Sequence, residues 1–220
     1  MTAVFENQLE SLKKLILTEG ALVEEAIYQS IKGLLERDSS LAESVIQGDA
    51  EIDEMEVRVE EECVKLLALH QPVASDLRFI VAVLKINGDL ERMGDLAANI
   101  AKRAAYLAAY APAELSIDFS EMGARAQSMV KMSLDALVNR DAELARRVCA
   151  DDDALDEMRR DAFDSMPAAL EKNPEKSECI IQTLNVVRHL ERIGDMATNI
   201  AEDVIYMVEG EIVRHRRKMI

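Results

Sequence analysis

The sequence predicts an all-α protein made of two tandem three-helix bundles, and three observations carry that prediction. Ala, Leu, Glu, Met and Arg are abundant, Trp is absent, and 8 Gly with 4 Pro are spread over 220 residues. Those abundant side chains lose little freedom in a helix, whereas strands draw on β-branched and aromatic types. Apolar residues recur at spacings of three, four and seven, and no alternating strand pattern of useful length appears. The chain also repeats itself. Residues 34–55 align with 137–158 at an offset of 103, and residues 84–101 align with 184–201 at an offset of 100, each with ten identities.

The first helix is predicted over residues 3–37, where Phe5, Leu9, Leu12, Ile16, Val23, Ile27, Ile31 and Leu34 form one apolar stripe. Asp38 and Ser39 suit the start of a second helix, with Leu41, Val45, Ile52, Met55, Val59 and Cys63 as its buried side. That helix is expected to stop near His70-Gln71-Pro72. A third runs from about Ser75 through Ile80, Leu84, Leu90 and Ile100 to Tyr110, where Pro112 ends it. Residues 111–118 read as a linker, after which the pattern repeats with Pro174 in the role of Pro72. The change in offset places a three-residue deletion between the second and third helices of the second copy. The units are therefore residues 1–112 and 113–220, and helices of this length need bundle partners to bury their stripes.

A formal charge of −16 repels phosphate backbones and anionic lipid, which argues against nucleic-acid binding. It suits a protein that is simply well solvated, or one that gathers cations. Cys63, Cys149 and Cys179 are odd in number and far apart, as expected of small hydrophobes in a reducing compartment. The apolar runs, such as residues 79–84, fall well short of the ~20 residues a membrane span needs. With no signal-peptide pattern at the N-terminus, a cytoplasmic protein is expected.

The sharpest motif is Leu90-Glu91-Arg92-Met93-Gly94-Asp95 with Asn99, matched by Leu190-Glu191-Arg192-Ile193-Gly194-Asp195 with Asn199. Four-residue spacing puts Glu91, Asp95 and Asn99 on one helix face, and Glu191, Asp195 and Asn199 on another. Like charges at that spacing repel by a few tenths of a kcal/mol, about the size of an i,i+4 helix pair. Each mid-helix glycine costs roughly 1 kcal/mol relative to alanine. A bound cation would offset the first penalty, and the missing Cβ would leave room for the ion or a neighbouring backbone. The competing structural reading pairs Arg92 and Arg192 with nearby acids on a solvated face, with the glycines serving close helix packing.

A second pair of carboxylates weighs on this choice. Asp49 and Asp53 stand four apart on the second helix, and their repeat partners are Asp152 and Asp156. Adjacent bundle helices can bring such pairs together, giving one hard oxygen site per repeat suited to Mg, Mn, Ca or iron. The candidate ligands are Asp49, Asp53, Glu91 and Asp95, then Asp152, Asp156, Glu191 and Asp195, with Asn99 and Asn199 as additional polar contacts. Against this, Gly48 beside Asp49 allows a helix break instead.

A ferritin-like di-iron centre is excluded, because it needs Glu-x-x-His and no His here stands three residues after a Glu. His189 precedes Glu191 by two and points to nearly the opposite side, so it is not expected to be a ligand. His70 and His215 lie at a helix end and in a basic tail. No phosphate loop, Ser/His/Asp arrangement or Cys/His cluster appears, and no catalytic residue is named. The tail Arg214-His215-Arg216-Arg217-Lys218 fits interaction with its own helix C-terminus, or else contact with an acidic partner or a membrane surface.

Residues 189–206 and the pair formed by residues 74–81 with Leu90–Asp95 resemble the two signatures of the PhoU family of phosphate-transport accessory and regulatory proteins. The resemblance implies a pair of three-helix bundles. It also implies iron, zinc, manganese or magnesium ions held by Glu/Asp-x-x-x-Asp motifs, which fall on the eight carboxylates above. It further implies a non-enzymatic, homodimeric negative regulator of the phosphate-starvation response. Such a regulator links a phosphate ABC transporter, through its ATPase subunit, to a sensor histidine kinase, and meets the membrane only through those partners. Leu96 and Met196 stand where many relatives carry His, Gly88 stands where relatives often carry a polar residue, and Arg78 has no counterpart in the second copy. Two other functions remain open on the sequence: a metal-free helical adaptor, and a metal-dependent phosphoester hydrolase.

Overall fold

The structure is a computed structural model, and it describes residues 3–112 and 115–211. Six long helices account for nearly all of it: α1 Ala3–Glu36, α2 Ser39–His70, α3 Ala74–Ala108, α4 Phe119–Asn139, α5 Ala142–Lys172 and α6 Ser177–Glu209. No strand occurs among the described residues. The predicted boundaries of the first three helices are met to within two residues. One expectation is corrected: α2 runs unbroken through Gly48 and Asp49, so there is no helix break there. The linker at 111–118 is non-helical where described, its residues 113 and 114 and the whole basic tail at 214–218 lying outside the described residues.

The same turn opens the second helix of each repeat. Arg37 and Arg140 adopt left-handed backbone, with φ of 56° and 52°, and the Asp that follows each caps the next helix. Asp38 Oδ1 accepts from Ser40 N at 2.8 Å, and Asp141 Oδ1 accepts from Leu144 N at 2.9 Å. A left-handed arginine is strained by ~1 kcal/mol, and Arg37 offsets this by donating to the carbonyls of Leu107, Ala108 and Tyr110 at the end of α3. Pro174 sits in a short 3₁₀ turn, Pro174–Lys176, that joins α5 to α6. The interior Pro167 of α5 has no counterpart in α2, and it removes a backbone donor there.

Helices α1–α3 pack on one another, as do α4–α6, and the halves meet chiefly through α3 against α6 and α1 against α4. The second contact is reciprocal. A Cβ on Gly20 would lie 2.4 Å from Leu134 Cδ1, and a Cβ on Gly123 would lie 2.6 Å from Ile31 Cδ1. Gly20 with Ile31 and Gly123 with Leu134 are the same positions at an offset of 103, so the repeat extends to α1 and α4 and the halves meet about an approximate two-fold. One hydrophobic core runs through both halves, from Phe5 and Leu12 to Val204 and Met207. Cys63 and Cys179 are buried within the fold as unpaired thiols, and burial pushes the Cys63 thiol up to about 12.

Two ties across the halves break the symmetry. Lys85 Nζ lies 3.2 Å from the buried Asp203 carboxylate, and Arg78 Nε donates to the Met207 carbonyl at 3.1 Å. The unmatched Arg78 thus serves the contact between repeats. Gly48 and Gly88 differ from the packed glycines, since a Cβ on either meets nothing within 4 Å. Gly48→Ala and Gly88→Ala are each expected to raise stability by about 0.5–1 kcal/mol, read as a shift in the urea midpoint with unchanged slope.

Candidate functional site

The predicted motif faces do meet, and glycine is the reason. A Cβ on Gly94 would fall 2.9 Å from Ile52 Cδ1 and 3.5 Å from Asp49 Oδ1. On Gly194 it would fall 2.6 Å from Leu155 Cδ2 and 3.5 Å from Asp152 Oδ1. The missing side chain lets α2 approach α3, and α5 approach α6, so that an aspartate of one motif rests against the glycine of the other. Helix α2 then runs antiparallel to α3 with its acids stacked within electrostatic reach of those opposite, Asp49 of Asp95 and Asp53 of Glu91.

The electrostatics follow that stacking. Burial, then Asp95 and Asp53, push the Asp49 carboxyl above the ordinary carboxylate range, with Lys102 opposing. Burial, then Asp95, Asp53 and Glu56, push Glu91 up, with Arg92 opposing. In the second bundle burial and Asp195 raise Glu191, Arg159 counters them, and Asp156 and Asp152 add to the rise. All eight predicted carboxylates therefore fall on two faces, one per bundle. Asn99 and Asn199 follow one turn further on, Asn99 half-buried and Asn199 exposed.

The donors are all oxygens, which fits hard cations, and the second helix of each bundle supplies acids opposite those of the third. In the conformation described, however, no three acidic, His or Cys side chains among the described residues stand close enough together to chelate an ion. An ion would have to draw Glu91 or Glu191 and their neighbours inward. The charges that bear most on His189 are those of arginines. Burial, then Arg103, Arg192 and Arg188, lower its pKa to about 4, so the ring is neutral at pH 7. His70 packs its ring on Phe5 and shares a 2.6 Å hydrogen bond with Gln8 Oε1.

Sequence reasoning missed the interior of the first face. Glu19 of α1 is 0% exposed, with no hydrogen-bond partner at either oxygen. Burial, then Glu56 and Glu91, push its carboxyl up to about 8. Asn87, one turn before Glu91, is also buried and donates from Nδ2 to the Glu56 carbonyl at 3.0 Å. The signal was present, because Glu19 interrupts the stripe between Ile16 and Val23, and Asn87 stands between Val83 and Leu90.

Comparison with known proteins settles the family. A family model described as PhoU domain matches residues 16–104 and again residues 119–204. The chain belongs to the PhoU family. It is 38% identical over 212 residues, 96% of this chain and 88% of the relative, to a protein of Pseudomonas aeruginosa named phosphate-specific transport system accessory protein PhoU homolog. It is 31% identical, over 96% of this chain and 88% of the relative, to the PhoU protein of Escherichia coli. Among solved structures, PhoU from P. aeruginosa superposes with a TM-score of 0.91 at 37% identity, covering 94% of this chain and 100% of that one. The phosphate transport system regulatory protein PhoU from Streptococcus pneumoniae gives 0.87 at 31% identity, covering 95% and 99%. The two PhoU matches coincide with the two sets of three helices.

Proposed function

We propose that this PhoU protein is an accessory regulator of phosphate transport that binds metal ions on its two carboxylate faces and acts through protein partners rather than by catalysis. The observation that carries the metal reading is the pairing of faces, with Gly94 and Gly194 each bringing an aspartate of the preceding helix against the Glu-Arg-x-Gly-Asp motif. The names of its relatives support the phosphate assignment. Asp49, Asp53, Glu91 and Asp95 would hold one set of ions, and Asp152, Asp156, Glu191 and Asp195 the other, with repeat units at 1–112 and 113–220. A bound hard cation would neutralise the stacked acids and stiffen the α2–α3 and α5–α6 faces.

In this reading the partners are the ATPase subunit of a phosphate ABC transporter and a sensor histidine kinase. The protein is a cytoplasmic homodimer that reaches the membrane only through them. No helix among the described residues is long and apolar enough to cross a membrane, which suits that placement.

The purified protein, dialysed at ordinary ionic strength, is expected to retain metal by elemental analysis. A variant with Glu91, Asp95, Glu191 and Asp195 all changed to Ala is expected to lose it while keeping its helical circular dichroism. Equal metal content in both proteins would overturn the sites. Deleting the protein is expected to release starvation-gene expression in high phosphate, and unchanged expression would overturn the regulatory role. A metal-free adaptor is the second reading, favoured by the spread of the carboxylates in the conformation described. Absence of metal from the wild-type protein would select it.

A further inference from the structure

We propose that the first bundle holds a hard divalent cation in an interior pocket formed by Glu19, Glu56, Glu91 and the side-chain carbonyl of Asn87, and that the second bundle has no equivalent pocket. This rests on the carboxylate-face reading only in so far as Glu91 serves both. Two buried groups in this interior have oxygens without hydrogen-bond partners. Glu19 is fully enclosed and neither carboxylate oxygen has a hydrogen bond. Asn87 is 2% exposed, its Nδ2 is held by the Glu56 carbonyl at 3.0 Å, and its Oδ1 is left unbonded. Buried polar groups are normally hydrogen-bonded, and buried charges are paired or coordinate metal.

The acids around these groups have little built-in compensation. The charges bearing most on Glu19 are those of Glu56 and Glu91. Arg92, beside Glu91 in sequence, is drawn to Asp89, 3.4 Å away. A carboxylate from α1, two from the α2–α3 face and an amide oxygen make an all-oxygen donor set, which selects hard ions of the Mg²⁺ and Mn²⁺ kind. In the conformation described these three acids do not converge closely enough to chelate; Glu56 and Glu91 are half-buried and on long stems, so binding would turn them inward toward Glu19 and Asn87.

The second bundle serves as an internal control. At the repeat offsets, Glu19 corresponds to Met122, Asn87 to Val187, Glu56 to Arg159 and Glu91 to Glu191. There both buried polar groups have become apolar, and one acid has become a base. Arg159 Nε lies 3.2 Å from Glu191 Oε1, so the second bundle carries its own cation where the first has a third carboxylate. The same helical frame is charge-compensated in one copy and left acidic in the other.

The test is titration of the metal-stripped full chain with Mn²⁺, followed by calorimetry and by the electron paramagnetic resonance signal of the bound ion. Two variants install the second bundle's residues in the first: the double change Glu19→Met with Asn87→Val, and the single change Glu56→Arg at a half-buried position. Each is expected to lose one Mn²⁺ equivalent, or to weaken it by at least about tenfold, with the helical signal intact. The control Met122→Leu, at the second bundle's counterpart of Glu19, is expected to keep every wild-type equivalent, and loss of one there would overturn the assignment to the first bundle. If wild type binds Mn²⁺ and Glu91→Gln with Asp95→Asn weakens it while both repeat-swapping variants bind like wild type, the interior pocket is wrong and the surface faces stand. If wild type takes up no Mn²⁺, both fall.

Discussion

Replacing Glu19 by Met is expected to stabilise the metal-free protein, and by an amount that grows with pH. The sign follows from proton linkage. With its pKa raised from 4.5 to about 8, the folded carboxyl retains a proton that the unfolded chain releases. Stability therefore falls as pH rises from about 4.5, and the loss is complete above about 8. The full effect is on the order of 5 kcal/mol, since each tenfold change in proton affinity between the folded and unfolded chain is worth about 1.4 kcal/mol. His189 acts in the opposite sense over part of this window, because its pKa is lowered to about 4 and the protein gains stability as pH rises toward the ring's ordinary value. The informative quantity is thus the difference between wild type and Glu19→Met, from urea melts at pH 5 and pH 8.5 in the presence of chelator. That difference is small at pH 5 and several kcal/mol at pH 8.5. A pH-independent difference would show that Glu19 is not held protonated by the fold.

Phe79→Ala is expected to cost about 3–5 kcal/mol, the range for deleting a fully buried aromatic side chain. Phe79 is among the largest fully buried side chains, and its ring lies where the two halves converge. Lys13 Nζ of α1 and the Arg140 guanidinium at the end of α4 each stand 5.9 Å from the ring centroid. Such a loss is a large fraction of the roughly 5–15 kcal/mol typical of a domain. Because the core is continuous, both bundles are expected to melt together in one transition moved by about 8–15 °C. Phe79→Leu is expected to recover most of the loss. Separate melting of the two halves in Phe79→Ala would mean that the core does not couple them.

The helices and their pairing were legible in the sequence because they rest on local signals. Stripe spacing set α1 to α3, Asp38 and Ser39 marked the start of α2, and the offsets of 103 and 100 assigned the same roles to the second copy. The four-spaced pairs of carboxylates were legible as well, since residues four apart share a helix face wherever the helix lies. What the motif glycines do needed coordinates, because spacing cannot tell a glycine that receives an aspartate from one that only admits a neighbouring side chain. Gly94 and Gly194 do both. The interior set of Glu19, Glu56 and Asn87 comes from three different helices, and no periodicity along one helix reports on such a meeting. The unbroken course of α2 through Gly48 had the same origin: packing of the neighbouring Val45 and Ile52 fixes the helix there more firmly than one glycine loosens it.

The reciprocal contact of Gly20 with Leu134 and of Gly123 with Ile31 gives the chain the geometry of two like subunits joined through the same patch on each. In a pair of separate chains such a self-complementary seam would form only as fast and as fully as concentration allowed. Here the segment at residues 109–118 ties the halves together, so the seam closes as an intramolecular event at high effective concentration. Tethering also frees the halves from identity, because each side of the seam is encoded separately. Arg159 and Glu56 can therefore differ at matching positions, a divergence that two copies of one chain could never acquire.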